Sequence, residues 1–504
     1  MKRSLELALA HVAVRYREPE RNRAALLGLF RRAAREGAEL VLGPEMSISG
    51  YSFDGPADLE PFAEPEEGPT VTAVAALARE FGLFACVGLA EIDLHTDILY
   101  NSVFVLAPDG RRVLRYRKIS AESRWACPGD PMEDNTFETP WGRIGVLICS
   151  DAYYGLMPRV TALRGADLLL SPATWPPLGL DPRELWRVRA RENGIFLAAC
   201  NRTGRDRTMD CRDSVSLVAD PQGRLLGEGR DADSRVFRVS IPLNENGRLD
   251  DRNRRARMAD RRTGHFRDCY RNLAPIQDRT SYFGLPAPGP LSVRCVVPKA
   301  GEHPVAALSR SAAHERAEGE VFFVLPAVAL SDAAANELAG RARRGRFGIL
   351  VRSPEGEGER HFLFHRGEVR VWELTRWPHG DEGRFPEFDV GAARIASVPF
   401  AALVHPEIAV ALAKRGCDMV AASETEFSPA DRPMAGVRTT EKIAVAVCGG
   451  TGGGVWIPPE GHERWAESLA GPGETAREVL NTRRSRQGAF QDRIDFSTLL
   501  ARAT

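Results

Sequence analysis

The chain has 504 residues, 43% apolar and 27% charged, which suits a soluble globular protein and exceeds what one hydrophobic core usually serves, so two domains are expected. Lysine plus arginine equals aspartate plus glutamate at 68 each, so no net field favours nucleic acid or an anionic membrane, and a compact, neutral partner or substrate is indicated. The nine cysteines, odd in number and without paired spacing, exclude a disulfide-stapled secreted domain and fit a reducing cytoplasm.

The start, MKRSLELALAHVAVRY, has neither the continuous apolar block nor the small-residue cleavage site of a signal peptide, and no later segment reaches the eighteen or so apolar residues of a membrane span. LELALAHVAV predicts a strand, and EPERNRAALLGLFRRAAREG a helix with apolar residues three and four apart, stopped by Gly37. AELVLGPE predicts a strand, PTVTAVAALAREFG a helix and LFACVGLAEI another strand. In LYNSVFVLAPDGRRVLRYRK two β-rich runs flank Pro108-Asp109-Gly110, as in a hairpin. There follow the strand RIGVLIC, the helix YYGLMPRVTALRG, the strand ADLLLSPATW, a long helix to about Glu192, the strand GIFLAACN and a hairpin SVSLVADPQGRLLGEG. This alternation is that of an α/β domain.

From Arg252 the pattern lapses into an arginine-rich stretch and then SYFGLPAPGPL, whose Pro/Gly content reads as a linker. Beyond it the order of elements begins again. VFFVLPAVALSD lies on ELVLGPEMSISG, HRGEVRVWELT on PDGRRVLRYRK, RIASVPFAALV on RIGVLICSDAY, LAKRGCDMVAAS on TALRGADLLLSP, and EKIAVAVCGGTG on ENGIFLAACNRTG. The chain therefore reads as two copies of one α/β domain: 1–280, a linker at 281–291, and 292–504.

The two copies control for each other, because packing residues survive in both while catalytic ones need survive only in an active copy. Pro44-Glu45 lies opposite Pro326-Ala327, Lys118 opposite Leu374 or Thr375, and Cys149 opposite Phe400. A carboxylate, an amine and a thiol vanish together. The three make a coherent set: a thiol needs a base to take its proton, Glu45 can serve, and an ammonium with the backbone N–H groups after Cys149 can stabilise the oxyanion formed on addition to a carbonyl or nitrile carbon. Each stands at or just past a predicted strand end, where α/β folds gather their sites. The other cysteines and the histidines show no metal-ligand spacing, CGGTGGGVW lacks the Lys-Ser/Thr ending of a phosphate loop, and aspartates interrupt the basic run DRNRRARMADRR, which reads as a solvated extension of the first domain.

LVLGPEMSISGY, YRKIS and GRIGVLICSDAYYG resemble, in order, the three signatures of the nitrilase, or carbon–nitrogen hydrolase, superfamily, and the likeness runs through the whole first half. The resemblance implies an α-β-β-α sandwich with Glu45 as general base, Lys118 as oxyanion stabiliser and Cys149 as nucleophile. It further implies Glu122 as an acid that positions Lys118 or the substrate, and a reaction without metal or organic cofactor. Ser150-Asp151 after the thiol favours an amidase over a true nitrilase, and the Ser150 backbone is an oxyanion candidate. Ala152-Tyr153-Tyr154 stands where the carbamoyl-amino-acid branch carries arginines, so Tyr153, Tyr154 and Trp175 are candidates for a less charged, partly aromatic pocket, or for core. An amine in place of water would make the protein an acyltransferase or amide synthase. The reading from another class is a non-catalytic scaffold or binding protein.

Because catalytic domains of this superfamily resemble one another in pairing back to back, the resemblance implies that the degenerate copy takes the partner's place in an intrachain pseudo-dimer; further self-association stays open. Residues 1–280 made alone are expected to lose solubility, activity or the monomeric state, and a fully active, soluble monomer in size-exclusion chromatography would contradict that pairing.

Overall fold

The computed structural model describes residues 3–501 apart from 314, 316–318, 356–357, 376, 378–383 and 462. Contacts divide the chain into two units, one running through Ala259 and taking in Arg493–Leu499, the other Asp260–Asp492. Each unit contains two six-stranded sheets. Among the described residues no helix is long and apolar enough to cross a membrane.

In the first unit one sheet runs, edge to edge, Arg235–Pro242, Ser4–His11, Leu40–Leu42, Phe84–Asp93, Ile98–Leu106, Arg112–Arg117. The other runs Leu225–Gly229, Ser216–Ala219, Phe196–Asn201, Leu168–Ala173, Gly142–Val146, Thr136–Thr139. The central strands of both are parallel, so they are buried on both faces, which is why they read as near-continuous apolar runs. Helix Pro19–Arg35 places Leu26, Leu29, Phe30 and Ala33 on one stripe, and helix Pro69–Phe81 contributes Val71, Val74, Leu77 and Ala78 to the same cluster over the first sheet. Burying each of the larger side chains stabilises the layer by on the order of 1.5–3 kcal/mol. Helices Leu156–Leu163 and Pro182–Asn193 pack on the second sheet. The result is the expected helix–sheet–sheet–helix layering.

The second unit repeats this plan. Val293, Phe322 and Leu350 of one sheet share a core with Ile395, Ala421 and Ala446 of the other, while helices Pro304–Ala312 and Asp332–Arg344 cover the outer face of the first. The repeat alignment survives at the level of hydrogen bonds. Leu147 donates to the Leu170 carbonyl and Val398 to that of Ala421, both at 3.0 Å, and each strand then enters a 3-10 turn, Cys149–Ala152 or Phe400–Val404. The glycine-rich CGGTGGG is a hairpin turn between strands Ala444–Cys448 and Gly453–Ile457.

The boundaries differ from those read in the sequence. The division falls after Ala259, so the stretch expected as a linker, 281–291, lies inside the second unit, running from the end of helix Arg279–Phe283 into the start of the strand Pro290–Val296. The start of the arginine-rich stretch is, as expected, a solvated end to the first unit: it forms helix Arg252–Ala259, without buried residues, held by Arg254 on Asp167 at 2.9 Å. Strands Thr136–Thr139 and Arg235–Pro242 went unrecognised. The first is short, and the second is specified by its distant partner Ser4–His11.

One glycine sets how closely the sheet can approach the site. A Cβ on Gly88 would lie 2.7 Å from the Pro44 carbonyl oxygen and 3.0 Å from the Glu45 Cα. In the second unit the corresponding strand position, identified by the donor bonds from Ser47 to Gly88 and from Val328 to Arg352, carries an arginine. Gly88→Ala is expected to destabilise the protein by about 1–3 kcal/mol in denaturant unfolding; an unchanged midpoint would show that Pro44-Glu45 can retreat freely.

Candidate active site

Strands end in sequence order on one side of the first unit, and the candidate residues follow their ends. Glu45 comes three residues after strand Leu40–Leu42, Lys118 directly after Arg112–Arg117, Cys149 three after Gly142–Val146, and Thr174 directly after Leu168–Ala173. The first pair belongs to one sheet and the second pair to the other, so the site spans the gap between the layers.

At its centre is a buried ion pair. Lys118 Nζ stands 2.6 Å from Glu45 Oε1, with the two side chains 1% and 0% exposed. Asn101 Nδ2 donates to the same oxygen at 2.7 Å, and the Thr174 N–H donates to Oε2 at 2.8 Å. Thr174 Oγ1 donates to the Glu45 carbonyl at 2.9 Å, which fixes the backbone as well as the carboxylate. Burial opposes the Lys118 charge, yet Glu45 and the surrounding Tyr51, Cys149 and Asp151 hold its pKa well above the ordinary lysine value. Lys118 also lies 5.6 Å from the centre of the Tyr51 ring, an ammonium over an aromatic face.

Cys149 is 7% exposed and adopts φ +47°, the left-handed region that non-glycine residues rarely occupy. Met46, next to Glu45, does the same at φ +48°. Each such residue costs of order 1–3 kcal/mol and persists only where its surroundings impose it. The Cys149 Sγ donates to the Thr174 carbonyl at 3.8 Å, so Thr174 contacts both the thiol and the carboxylate. Burial, and then the negative charge of Glu45, push the Cys149 thiol above its usual range, with Lys118 opposing. This surrounding favours the thiol over the thiolate.

Asp151 locks the turn. Its Oδ1 accepts from the Ser120 N–H at 2.7 Å, and its Oδ2 from Tyr116 Oη at 2.8 Å and the Ile148 N–H at 3.3 Å. The loop after Lys118 and the loop after the thiol-bearing strand are thereby tied to one carboxylate. Ser150 Oγ adds a bond to the Ser120 carbonyl at 3.2 Å.

The remaining sequence candidates are distributed unevenly. Glu122 is partly exposed and pairs with Arg124 at 3.1 Å, which lowers its pKa; among the described residues no hydrogen bond joins it to Lys118. Tyr153 is buried, edge-on to Tyr154 at 5.0 Å and stacked on Trp175 at 6.3 Å. Trp175 is held by its backbone to the Asn201 side chain at 2.9 Å and meets Trp186. Sequence reasoning passed over Asn101, Thr174 and Tyr51. The signal for Asn101 was a polar residue in an otherwise apolar inward-facing run. Thr174 and Tyr51 carried only their places after a strand and after Gly50. Among the described residues no group of three or more His, Cys, Asp or Glu side chains is arranged to hold a metal.

The corresponding place in the second unit is filled. Arg352 Nη1 binds Glu359 and its Nη2 binds Glu424, each at 2.6 Å, while its Nε donates to the Ser423 carbonyl. Glu424 in turn accepts the Phe400 N–H at 2.7 Å. His361 bridges Ser397 Oγ at 2.6 Å and Glu359 at 2.9 Å. An internal ion network takes the space where the first unit holds its thiol and carboxylate.

Comparison with known proteins agrees with the layout of the first unit. Residues 6–249 match the family model described as carbon-nitrogen hydrolase. A protein named nitrilase from Pyrococcus abyssi is 31% identical over 242 residues, which cover 47% of this chain and 90% of that protein. A 2-oxoglutaramate amidase from Bacillus subtilis is 28% identical over 218 residues, 42% of this chain and 81% of its own length. An omega-amidase from Mus musculus is 30% identical over 214 residues, 39% and 75% respectively. With the family model matched and these relatives covered over most of their lengths, the chain belongs to the carbon–nitrogen hydrolase family, whose members hydrolyse carbon–nitrogen bonds other than peptide bonds.

Proposed function

We propose that the first unit hydrolyses a small non-peptide amide through a thioester on Cys149. The observation that carries this reading is the buried pairing of Glu45 with Lys118, together with Thr174, which contacts both the Glu45 carboxylate and the Cys149 thiol. Glu45 takes the thiol proton as Sγ adds to the amide carbon, because a neutral buried thiol cannot attack otherwise. The charge that develops on the amide oxygen is stabilised by the Lys118 ammonium and the backbone N–H of Ser150. Glu45 then returns the proton to nitrogen, the carbon–nitrogen bond breaks, and ammonia or an amine leaves. Water, deprotonated by Glu45, attacks the thioester; its carbon–sulfur bond breaks, and a carboxylic acid and the free thiol result.

Two relatives are named for amidase activity, which supports an amide over a nitrile, and Ser150-Asp151 after the thiol agrees. Tyr153, Tyr154 and Trp175 form the aromatic wall beside the thiol turn, and Glu122 with Arg124 is assigned to the outer part of the site. The second unit, with Phe400 and the Arg352 network in place of thiol and carboxylate, is assigned no catalysis.

Intact-mass measurement after exposure to a panel of small primary amides, 2-oxoglutaramate among them, and of nitriles is expected to show one acyl adduct that maps to Cys149 and is absent from Cys149→Ala. Glu45→Gln is expected to lower turnover by roughly 10²–10⁴-fold, and Glu122→Gln by much less. A Cys149→Ala protein as active as the wild type would end the proposal.

The raised thiol pKa gives a pH signature. Alkylation of Cys149 by iodoacetamide is expected to keep rising as pH passes the ordinary thiol value of 9.0, because the thiolate is disfavoured in the folded site. A plateau already reached near neutrality would identify a preformed thiolate and remove the need for Glu45 as base.

A further inference from the structure

The division of contacts assigns Arg493–Leu499 to the first unit, although this segment follows the whole of Asp260–Asp492 in sequence. Ile494, Asp495 and Leu499 are buried there. Arg164, one residue past the helix Leu156–Leu163, reaches Asp495 Oδ2 at 2.9 Å, with the side chains 12% and 5% exposed. The same guanidinium donates to the carbonyls of Pro131 and Glu133 and to Asn135 Oδ1, so it ties the segment to the loop that leads into the thiol-bearing sheet. Asp495 also accepts from the Thr498 N–H and from the hydroxyls of Ser497 and Thr498, which fixes its rotamer and starts the helix Phe496–Leu500.

A shared cavity and one hydrogen bond lead from this segment to the site. Ile494 lines, with Tyr116, Leu147 and Met157, a cavity of about 20 Å³. Tyr116 is the residue whose hydroxyl holds Asp151, and Leu147 lies two residues before Cys149. Arg493 Nη2 donates to the Gly129 carbonyl at 3.2 Å, and the Gly129 N–H donates to the Lys118 carbonyl at 2.9 Å. The segment thus supports from behind both the turn that presents the thiol and the backbone of the lysine.

We propose that Arg493–Leu499 is a strap that positions the site, acting through Tyr116–Asp151 on Cys149 and through Gly129 on Lys118. This rests on the reading of Glu45, Lys118 and Cys149 as the reacting groups. Ile494 and Asp495 are positioning residues, since neither touches a reacting atom. Loss of the strap leaves substrate binding largely intact and slows the chemical steps, which depend on how closely the thiol, base and ammonium are aligned.

The test uses the full chain. Ile494→Ala and Asp495→Asn, singly and combined, are compared with Asp495→Glu for kcat and KM on the primary amide that the panel yields, and for melting by circular dichroism. The double variant is expected to lose at least about tenfold in kcat with KM within about twofold of wild type, while remaining folded at the assay temperature, and Asp495→Glu is expected to keep most of the rate. A double variant with kcat within about twofold of wild type overturns the strap, as does a loss of kcat that only follows the folded fraction as temperature rises. If the double variant does not fold, Asp495→Asn alone decides by the same kcat and KM criteria. Cys149→Ala, measured alongside, separates the two readings: its full activity removes the thiol chemistry, whereas an inactive Cys149→Ala with unimpaired strap variants removes only the strap.

Discussion

The arrangement of the first unit follows from one buried interaction, the pairing of Glu45 with Lys118. Withdrawing two charges from solvent costs several kcal/mol for each, and their attraction offsets this only when the remaining hydrogen-bonding positions are filled. Here they are filled from separate strands: Asn101 on one oxygen, the Thr174 N–H on the other, and Tyr51 beneath the ammonium. Breaking such a pair from one side leaves an uncompensated charge, typically a loss of about 3–5 kcal/mol. The pair therefore joins two strand ends of one sheet, and the Thr174 N–H ties its carboxylate to the other sheet.

Strained backbone borders the pair: Met46, next to Glu45, and Cys149 both take left-handed conformations. Gly88 permits the close approach of Pro44-Glu45 that a side chain would block. The second unit shows the same scaffold without the pair. Where Gly88 leaves space, Arg352 fills it, and the backbone N–H of Phe400 is taken by the Glu424 carboxylate. There Arg352, Glu359, Glu424 and His361 bond to one another.

Much of this was legible in the sequence because it depends on local patterns. Apolar runs bounded by turn residues gave the parallel strands, and three- and four-residue spacing gave helices Pro19–Arg35 and Pro69–Phe81. The repeat singled out the positions where Glu45, Lys118 and Cys149 stand, and they lie together. What was not legible depends on distant pairing. Strand Arg235–Pro242 exists because Ser4–His11 offers it an edge, and the residues after Ala259 fall in the second unit, where Arg261 pairs with Glu407 and Lys414 donates to the Cys269 carbonyl. Asn101 and Thr174 carry no motif; their roles arise only when strands far apart in sequence bring them to the same carboxylate.

The assignment of Arg493–Leu499 to the first unit bears on how the chain is made. Translation delivers the strands of the first unit well before the segment that Arg164 awaits, since Asp260–Asp492 must be synthesised in between. Domains emerging from the ribosome generally fold as they appear, N-terminal first. In this chain the N-terminal body can collapse early but cannot reach its final state until the second has left the exit tunnel. Closing a loop of that length carries an entropic toll that grows only slowly with the number of residues enclosed. The delay is thus one of timing more than of free energy, and it holds back the pairing of Arg164 with Asp495 until the second unit has been made.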